Sequence, residues 1–206
     1  SPFGHELLVA KGLRNPWRMA DCGAVICIGD VGESRFEELN LYTGVGNNFG
    51  HGDYEGPSEG AYDDPAIWYA HGDSTFSDED PDHVATLGES IMVGVRVSGR
   101  AYDGLLDGFV LYSDVYQGWV RAAYISDQGE YLGHDLHLAH QTVLGAMVEA
   151  EDGSVYAVDM MGGLRKLVHQ EDVPVIGEVG EELAETVFAD GGVEYEVRHP
   201  LWSNGT

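Results

Sequence analysis

Apolar positions in this chain fall into runs of mostly four to eight residues, broken by glycine and aspartate, and scarcely any of them recur at helical spacing. Short runs bounded by turn residues are the mark of β-strands, because a strand buries alternate or successive side chains over a short span. Strands are expected at 6–10, 24–29, 38–42, 66–69, 91–97, 108–113, 119–126, 144–150, 155–159 and 163–168. The fold class is therefore all-β. A short amphipathic helix is expected over 181–187, inside the acidic stretch 171–185.

Three neighbourhoods, 24–30, 108–114 and 154–159, share a plan of strand, glycine-containing turn and a strand closing on aspartate: Asp30, Asp114 and Asp159. Such repetition predicts the blades of a β-propeller. At roughly 40 to 50 residues per blade, residues 2–170 hold about three or four, which makes a partial six-bladed β-propeller. A ring cut in this way exposes blade faces and unpaired edges, so it needs a missing N-terminal half, another chain or a further copy to close it. Residues 1–170 are expected to form the blades, and 171–206 an acidic extension leading into a following domain. Between blades lie the loops 44–64 and 72–82, rich in Gly, Asn, Asp and Tyr in the first and acidic in the second. Loops on a rigid scaffold are where function is to be sought.

Composition narrows the setting. The 206 residues include 43% apolar side chains and 29 glycines, enough for a sizeable core. The longest apolar stretches, such as 23–28 and 90–95, fall far short of the roughly 20 residues of a bilayer span, so no membrane span is expected. The N-terminus lacks the basic-then-apolar pattern of a secretion signal. Acidic residues number 36 against 10 basic ones, for a net charge of −26, and Lys11 and Lys166 are the only lysines. Nucleic acid is excluded as a partner, because its binding depends on clustered cations releasing counterions. The acid is spread along most of the chain, which fits a solvated surface adapted to salty surroundings; the competing explanation is an ordinary acidic secreted protein with bound divalent cations.

Two cysteines, Cys22 and Cys27, flank an apolar hairpin-like segment and can be either a disulfide or two buried thiols. They cannot make a four-ligand zinc site alone. His134, His137 and His140 recur every third residue around Asp135, a spacing that neither aligns on one strand face nor matches a metal signature; a polar loop is expected there rather than a transition-metal or haem ligand set. The acidic loops 53–64 and 73–82 carry carboxylates enough for calcium but lack the Asp-x-Asp-x-Asp-Gly arrangement.

Several motifs recur in a fixed order: Gly12-Leu13-Arg14-Asn15-Pro16-Trp17-Arg18, Ile28-Gly29-Asp30-Val31-Gly32-Glu33 and Glu37-Glu38-Leu39-Asn40. They are followed by Gly46-Asn47-Asn48-Phe49-Gly50, an Asp64-Pro65 turn before His71, and Glu151-Asp152-Gly153-Ser154-Val155-Tyr156-Ala157-Val158-Asp159. Together, over about residues 6–168, they resemble the glucose/sorbosone dehydrogenase family, the soluble sugar dehydrogenases dependent on pyrroloquinoline quinone (PQQ). The resemblance implies a six-bladed propeller with the quinone on its top face and calcium bridging quinone and backbone carbonyls. It implies Arg14 and Asn15 as quinone contacts and the carbonyls of Gly32 and Glu33 as calcium ligands. Arginine supplies a permanently charged donor fork, and calcium takes neutral carbonyl oxygens. The plainer reading is that Arg14 shapes a loop by satisfying backbone carbonyls. The resemblance further implies a periplasmic or extracellular location.

The chain also departs from the family. Where sugar-oxidising members carry a lysine and an Arg-x-Arg pair directed at the cofactor, this sequence has Tyr116 and Gln117, and residues 143–145, none of them basic. An anionic quinone would lose charge-assisted hydrogen bonds there. The family's general-base histidine belongs to the N-terminal half. Residues 195–206 resemble the start of a domain that follows such propellers near cytochrome modules, which suggests a cytochrome electron acceptor; they end in a glycosylation sequon, Asn204-Gly205-Thr206. Two functions compete: a dehydrogenase module oxidising a small sugar or other alcohol by hydride transfer to PQQ, and a catalytically silent propeller acting as a binding or scaffold module.

Overall fold

A computed structural model describes residues 4, 7–72, 87–140, 143–169 and 193–200. The expected helix at 181–187, the acidic loop 73–82 and the sequon at 204–206 lie outside them. The described residues form thirteen strands in three sheets and no helix, hence none long and apolar enough to cross a membrane. The first sheet runs β1 (Pro16–Asp21), β2 (Ile26–Asp30), β3 (Phe36–Tyr42) and β4 (Ile67–His71), antiparallel throughout, with the two-residue β5 (Leu87–Gly88) parallel at its edge. The second comprises β6 (Ile91–Arg96), β7 (Phe109–Asp114), β8 (Trp119–Ile125) and β9 (Tyr131–His140). The third comprises β10 (Leu144–Glu149), β11 (Val155–Asp159), β12 (Gly163–His169) and β13 (Val193–Pro200). Each is a meander in which sequence neighbours pair.

Strand periodicity explains why the second sheet lies in the middle. Successive side chains on a strand point to opposite faces. On β7, Val110 and Tyr112 enter one core with Leu39, Ile67 and Tyr69 of the first sheet, while Leu111 enters another with Leu144, Val155 and Leu167 of the third. On β6, Ile91 and Val93 face the first sheet and Met92 the third. A strand buried on both faces reads as an unbroken apolar run, which is why β7 is plain in the sequence. Trp119 closes the first core, its ring edge-on to Tyr69 and Tyr112 at centroid distances of 5.0 and 5.6 Å. Truncating Leu111, fully buried between the sheets, would cost about 2–5 kcal/mol.

Three segments differ from expectation. Residues 8–10 form no strand; Val9 instead accepts the Gly46 N–H at 2.9 Å, and Lys11 bridges to Asn48. β1 is an additional strand, opened by Pro16 and largely exposed, so it lacks the buried alternation that marks a strand. The histidine-rich segment expected as a polar loop is backbone of β9, paired with β8 through Arg121↔His137 and Trp119↔His140. A register shift between Val120 and Arg121 disturbs the simple alternation there. β13, beyond the division expected at residue 170, pairs antiparallel with β12. Cys22 and Cys27 form a disulfide at the tip of the β1–β2 hairpin.

Candidate functional site

One device recurs at the same end of all three sheets. Pro16 pairs with Asp30, Ile91 with Asp114 and Leu144 with Asp159, so each aspartate closes the second strand beside the first residue of the first strand. In each case the residue after the aspartate donates its N–H to the carbonyl just before the first strand: Val31 to Asn15, Val115 to Ser90 and Met160 to Val143, at 3.2, 2.8 and 2.8 Å. All three aspartates are buried, and the carboxylates of Asp30 and Asp114 collect backbone donors that the strand entries leave over. Asp30 accepts the N–H groups of Arg14 and Asn15 at 2.9 and 2.7 Å. Asp114 accepts those of Glu89, Ser90, Tyr116 and Gln117, together with the Tyr69 hydroxyl. Asp159 takes the Met161 N–H and the Arg165 guanidinium.

The first of these units brings three of the sequence-predicted residues together. Arg14 sits on the strand entry held by Asp30, and its Nη1 donates to the carbonyls of Val31 (3.1 Å) and Gly32. Asn15 is exposed, anchored through its backbone. Gly32 is buried; a Cβ there would lie 1.9 Å from the Phe36 carbonyl oxygen, so no larger residue fits. Glu33 is exposed beside it, its N–H bound at 2.7 Å by Glu55 Oε1, which also accepts the N–H groups of Ser34, Arg35 and Phe36. Burial pushes the Glu55 carboxyl up, but the four backbone donors outweigh it and hold the group below its ordinary value.

Behind Arg14 lies a cavity of about 10 Å³, room for a single water, lined by Asp30, Glu38, His51, Tyr54 and Glu55 among others. Burial pushes Glu38 up to about 7, against the favourable hydrogen bonds from Gly56 N–H and the Asn40 amide. Asp30 is raised by burial in the same sense. Neighbouring Glu37 points to the opposite face of β3, where it accepts the Ile91 N–H at 2.8 Å, the Gly32 N–H at 3.2 Å and His71 Nδ1 at 2.5 Å. Its carboxyl is raised by burial. The adjacent Glu37-Glu38 pair thus serves the second sheet with one residue and the 43–66 loop with the other.

Chemically, the Val31 and Gly32 carbonyls converge on a cation, and the cation they hold is the Arg14 guanidinium. An oxygen donor set of this kind suits a hard ion such as calcium, provided Arg14 gives up the Gly32 oxygen. A carboxylated quinone is less well provided for. The turns equivalent to Gly32 in the second and third sheets carry Tyr116 and Met161, both largely exposed, and Gly145 abuts Met160. None of these supplies positive charge. Among the described residues no three His, Cys, Asp or Glu side chains converge on a metal position. Glu37, His71, Glu55 and Asp114 carry the electrostatics of this end; of them, Glu37 and His71 stood within sequence motifs, while Glu55 acts across about twenty residues with no local signal.

No protein-family model matches the chain, and no curated protein does. Among solved structures, the PQQ-bound aldose sugar dehydrogenase of Streptomyces coelicolor is similar, with a TM-score of 0.54 and 16% identity over 96% of this chain and 47% of that one. An oxidoreductase of Thermus thermophilus described as a glucose dehydrogenase is similar with a TM-score of 0.52 and 12% identity, over 91% of this chain and 46% of that one. The chain shares the fold of these sugar-dehydrogenase-like proteins and spans about half their length.

Proposed function

We propose that the chain is part of a β-propeller dehydrogenase of the quinoprotein type, which oxidises a sugar or another small alcohol. The observation that carries this reading is the convergence of Arg14 and Gly32 at one end of the sheets, with Asn15 held beside them, in a fold shared with a PQQ-bound aldose sugar dehydrogenase. Arg14 and Asn15 would orient the quinone, and the Gly32 and Glu33 carbonyls would hold calcium. Bound together, those two groups supply hydride acceptance and polarisation of the reactive carbonyl. The chain's own residues fix the geometry: Asp30 clamps the Arg14-Asn15 backbone, and Glu37 and Glu55 hold the β2–β3 turn from either side.

Each sheet is read as one blade of a six-bladed ring. The outer face of the first sheet supports a missing half, since Met19 and Ile26 lie exposed beside an open groove of about 450 Å³ that includes Tyr42. Val148 and Val158 are exposed on the outer face of the third sheet. Preceding blades, from a longer chain or another one, would cover these faces and supply the base. A cytochrome is the proposed electron acceptor. The Cys22–Cys27 disulfide supports a periplasmic or extracellular site of action, where oxidising conditions preserve it.

A second reading is favoured by a specific observation: the Arg14 guanidinium is already engaged by two carbonyls, and the neutral Tyr116, Gln117 and Met161 stand in the turns of the other sheets. On that reading the propeller is a catalytically silent binding module. Reconstitution of the completed ring with PQQ and calcium, followed by dye-linked oxidation of aldoses, separates the two. Quinone binding and turnover, both lost in Arg14→Ala, support the dehydrogenase; a ring that binds no quinone and turns over nothing is the silent module.

A further inference from the structure

The connection between β3 and β4, residues 43–66, is fastened at several points. Asp63 accepts the Asn48 N–H at 2.6 Å, Asp64 accepts the Ser58 N–H at 2.6 Å, and the Asp53 and Tyr54 N–H groups both donate to the Gly50 carbonyl, at 3.1 and 3.0 Å. Gly50 has φ +85°, and a Cβ there would sit 3.0 Å from Tyr62 Cγ, so the Tyr62 ring rests directly against this turn. On this fixed base stand two aromatic side chains that belong to neither core. The Tyr54 and Tyr62 rings lie 5.6 Å apart at 57°. The Tyr62 hydroxyl donates to Asp53 Oδ2 at 2.5 Å, which aims that carboxylate and leaves Oδ1 with no partner among the described residues.

We infer that Tyr54, Tyr62 and Asp53 form a subsite for a neutral sugar or polyol. The inference rests on the sugar-oxidation reading, because Tyr54 also lines the cavity that adjoins Arg14 and Gly32, so a ligand held there lies beside the candidate site. The chemistry is that of an amphipathic ligand. A pyranose presents a C–H face that packs on an aromatic ring, and hydroxyls at its rim that donate to a carboxylate; two tilted rings beside a fixed carboxylate meet both requirements. Rigid tyrosines supply contact area at small entropic cost. Charge selects further: Asp53, Glu55, Glu59, Asp63 and Asp64 crowd this loop in a protein of net charge −26, so a sugar acid or sugar phosphate is repelled.

Calorimetric titration of the protein with glucose, sorbitol and gluconate, without quinone, tests the subsite. Saturable binding of glucose or sorbitol is expected, with gluconate bound far more weakly. Tyr54→Ala should weaken the neutral ligands about ten-fold, whereas Tyr54→Phe, which keeps the ring, should stay within about two-fold of wild type. Asp53→Asn should weaken them several-fold while relieving the exclusion of gluconate. An unchanged thermal transition in Tyr54→Phe and Asp53→Asn guards against misfolding as the cause. Absence of binding by both neutral ligands, equal binding by Tyr54→Ala, or gluconate binding as tightly as the neutral ligand overturns the subsite, whatever the oxidation assay gives. Neutral-sugar binding in a ring that never oxidises sugar leaves the subsite standing and removes the dehydrogenase.

Discussion

Arg14 donates to the carbonyl of Gly32, the same oxygen that the resemblance assigns to calcium. Guanidinium and metal therefore compete for one acceptor, and whatever draws Arg14 away favours the ion. Arg14→Ala is expected to bind calcium more tightly than the parent, by about ten-fold, within the usual range for coupled sites. Calcium titration of the two proteins by calorimetry checks this. Equal affinity in both would remove the Gly32 carbonyl from the ligand set.

Glu38 makes stability depend on pH. Its carboxyl is pushed up to about 7 by burial, so the folded protein keeps a proton that the unfolded chain gives up near pH 4.5. The stabilising contribution is fully present below about pH 4.5 and is lost as pH rises through about 7. The raised carboxyls of Asp30 and Glu37 act in the same direction. Glu38→Gln, which keeps an acceptor for the Gly56 N–H, should gain up to about 3 kcal/mol on the parent at pH 8 and little at pH 4.5. Urea denaturation at the two pH values measures the difference; equal curves for both proteins at the alkaline value would contradict it.

Asp114 is the most heavily used of the three strand-entry aspartates. Its removal leaves four backbone N–H groups and the Tyr69 hydroxyl without their acceptor at a fully buried position. Asp114→Ala should cost about 4 kcal/mol or more, and Asp30→Ala, which strands two backbone donors, about 2–3 kcal/mol. The order of the two in chemical denaturation is the informative result.

The Cys22–Cys27 disulfide closes a short loop, for which chain-entropy considerations give about 2 kcal/mol. A Cys22→Ser, Cys27→Ser double variant should fold with a transition lowered accordingly, measured by thermal melting with and without reductant on the parent.

Added salt should raise the melting temperature of the whole protein, because 36 acidic residues face only 10 basic ones. Melting at increasing sodium chloride checks this, and a curve independent of salt would argue against adaptation to salty surroundings.

Legibility in the sequence follows burial. β7 stands out because both of its faces are covered, and apolar residues then run together, whereas β11 shows as a short apolar run with one face buried and the other partly exposed. β1 does not, since its side chains are mostly exposed and its first residue is proline. β9 hides behind histidines and a register shift. The recurrence of Asp30, Asp114 and Asp159 is visible as spacing, but the work those carboxylates do is not, because most of their partners are backbone amides that carry no residue-type signal. Arg14 and Gly32 could be joined in advance only through a family pattern. Tyr54 and Tyr62 sit in a loop whose composition says turn, and their approach depends on how Gly50, Asp63 and Asp64 fold it.

The three strand entries share one backbone solution but carry different side chains at the position two after the aspartate: Gly32, Tyr116 and Met161. Structural duty and surface identity are thereby uncoupled in the latter two turns, since the amides and the aspartate do the holding while the exposed side chain is free to vary. An aromatic ring and a thioether stand at equivalent places in the two turns on the same backbone frame. For an engineer, positions 116 and 161 are sockets of one pattern, and placing a lysine or arginine at either should disturb folding little, since both side chains are largely exposed.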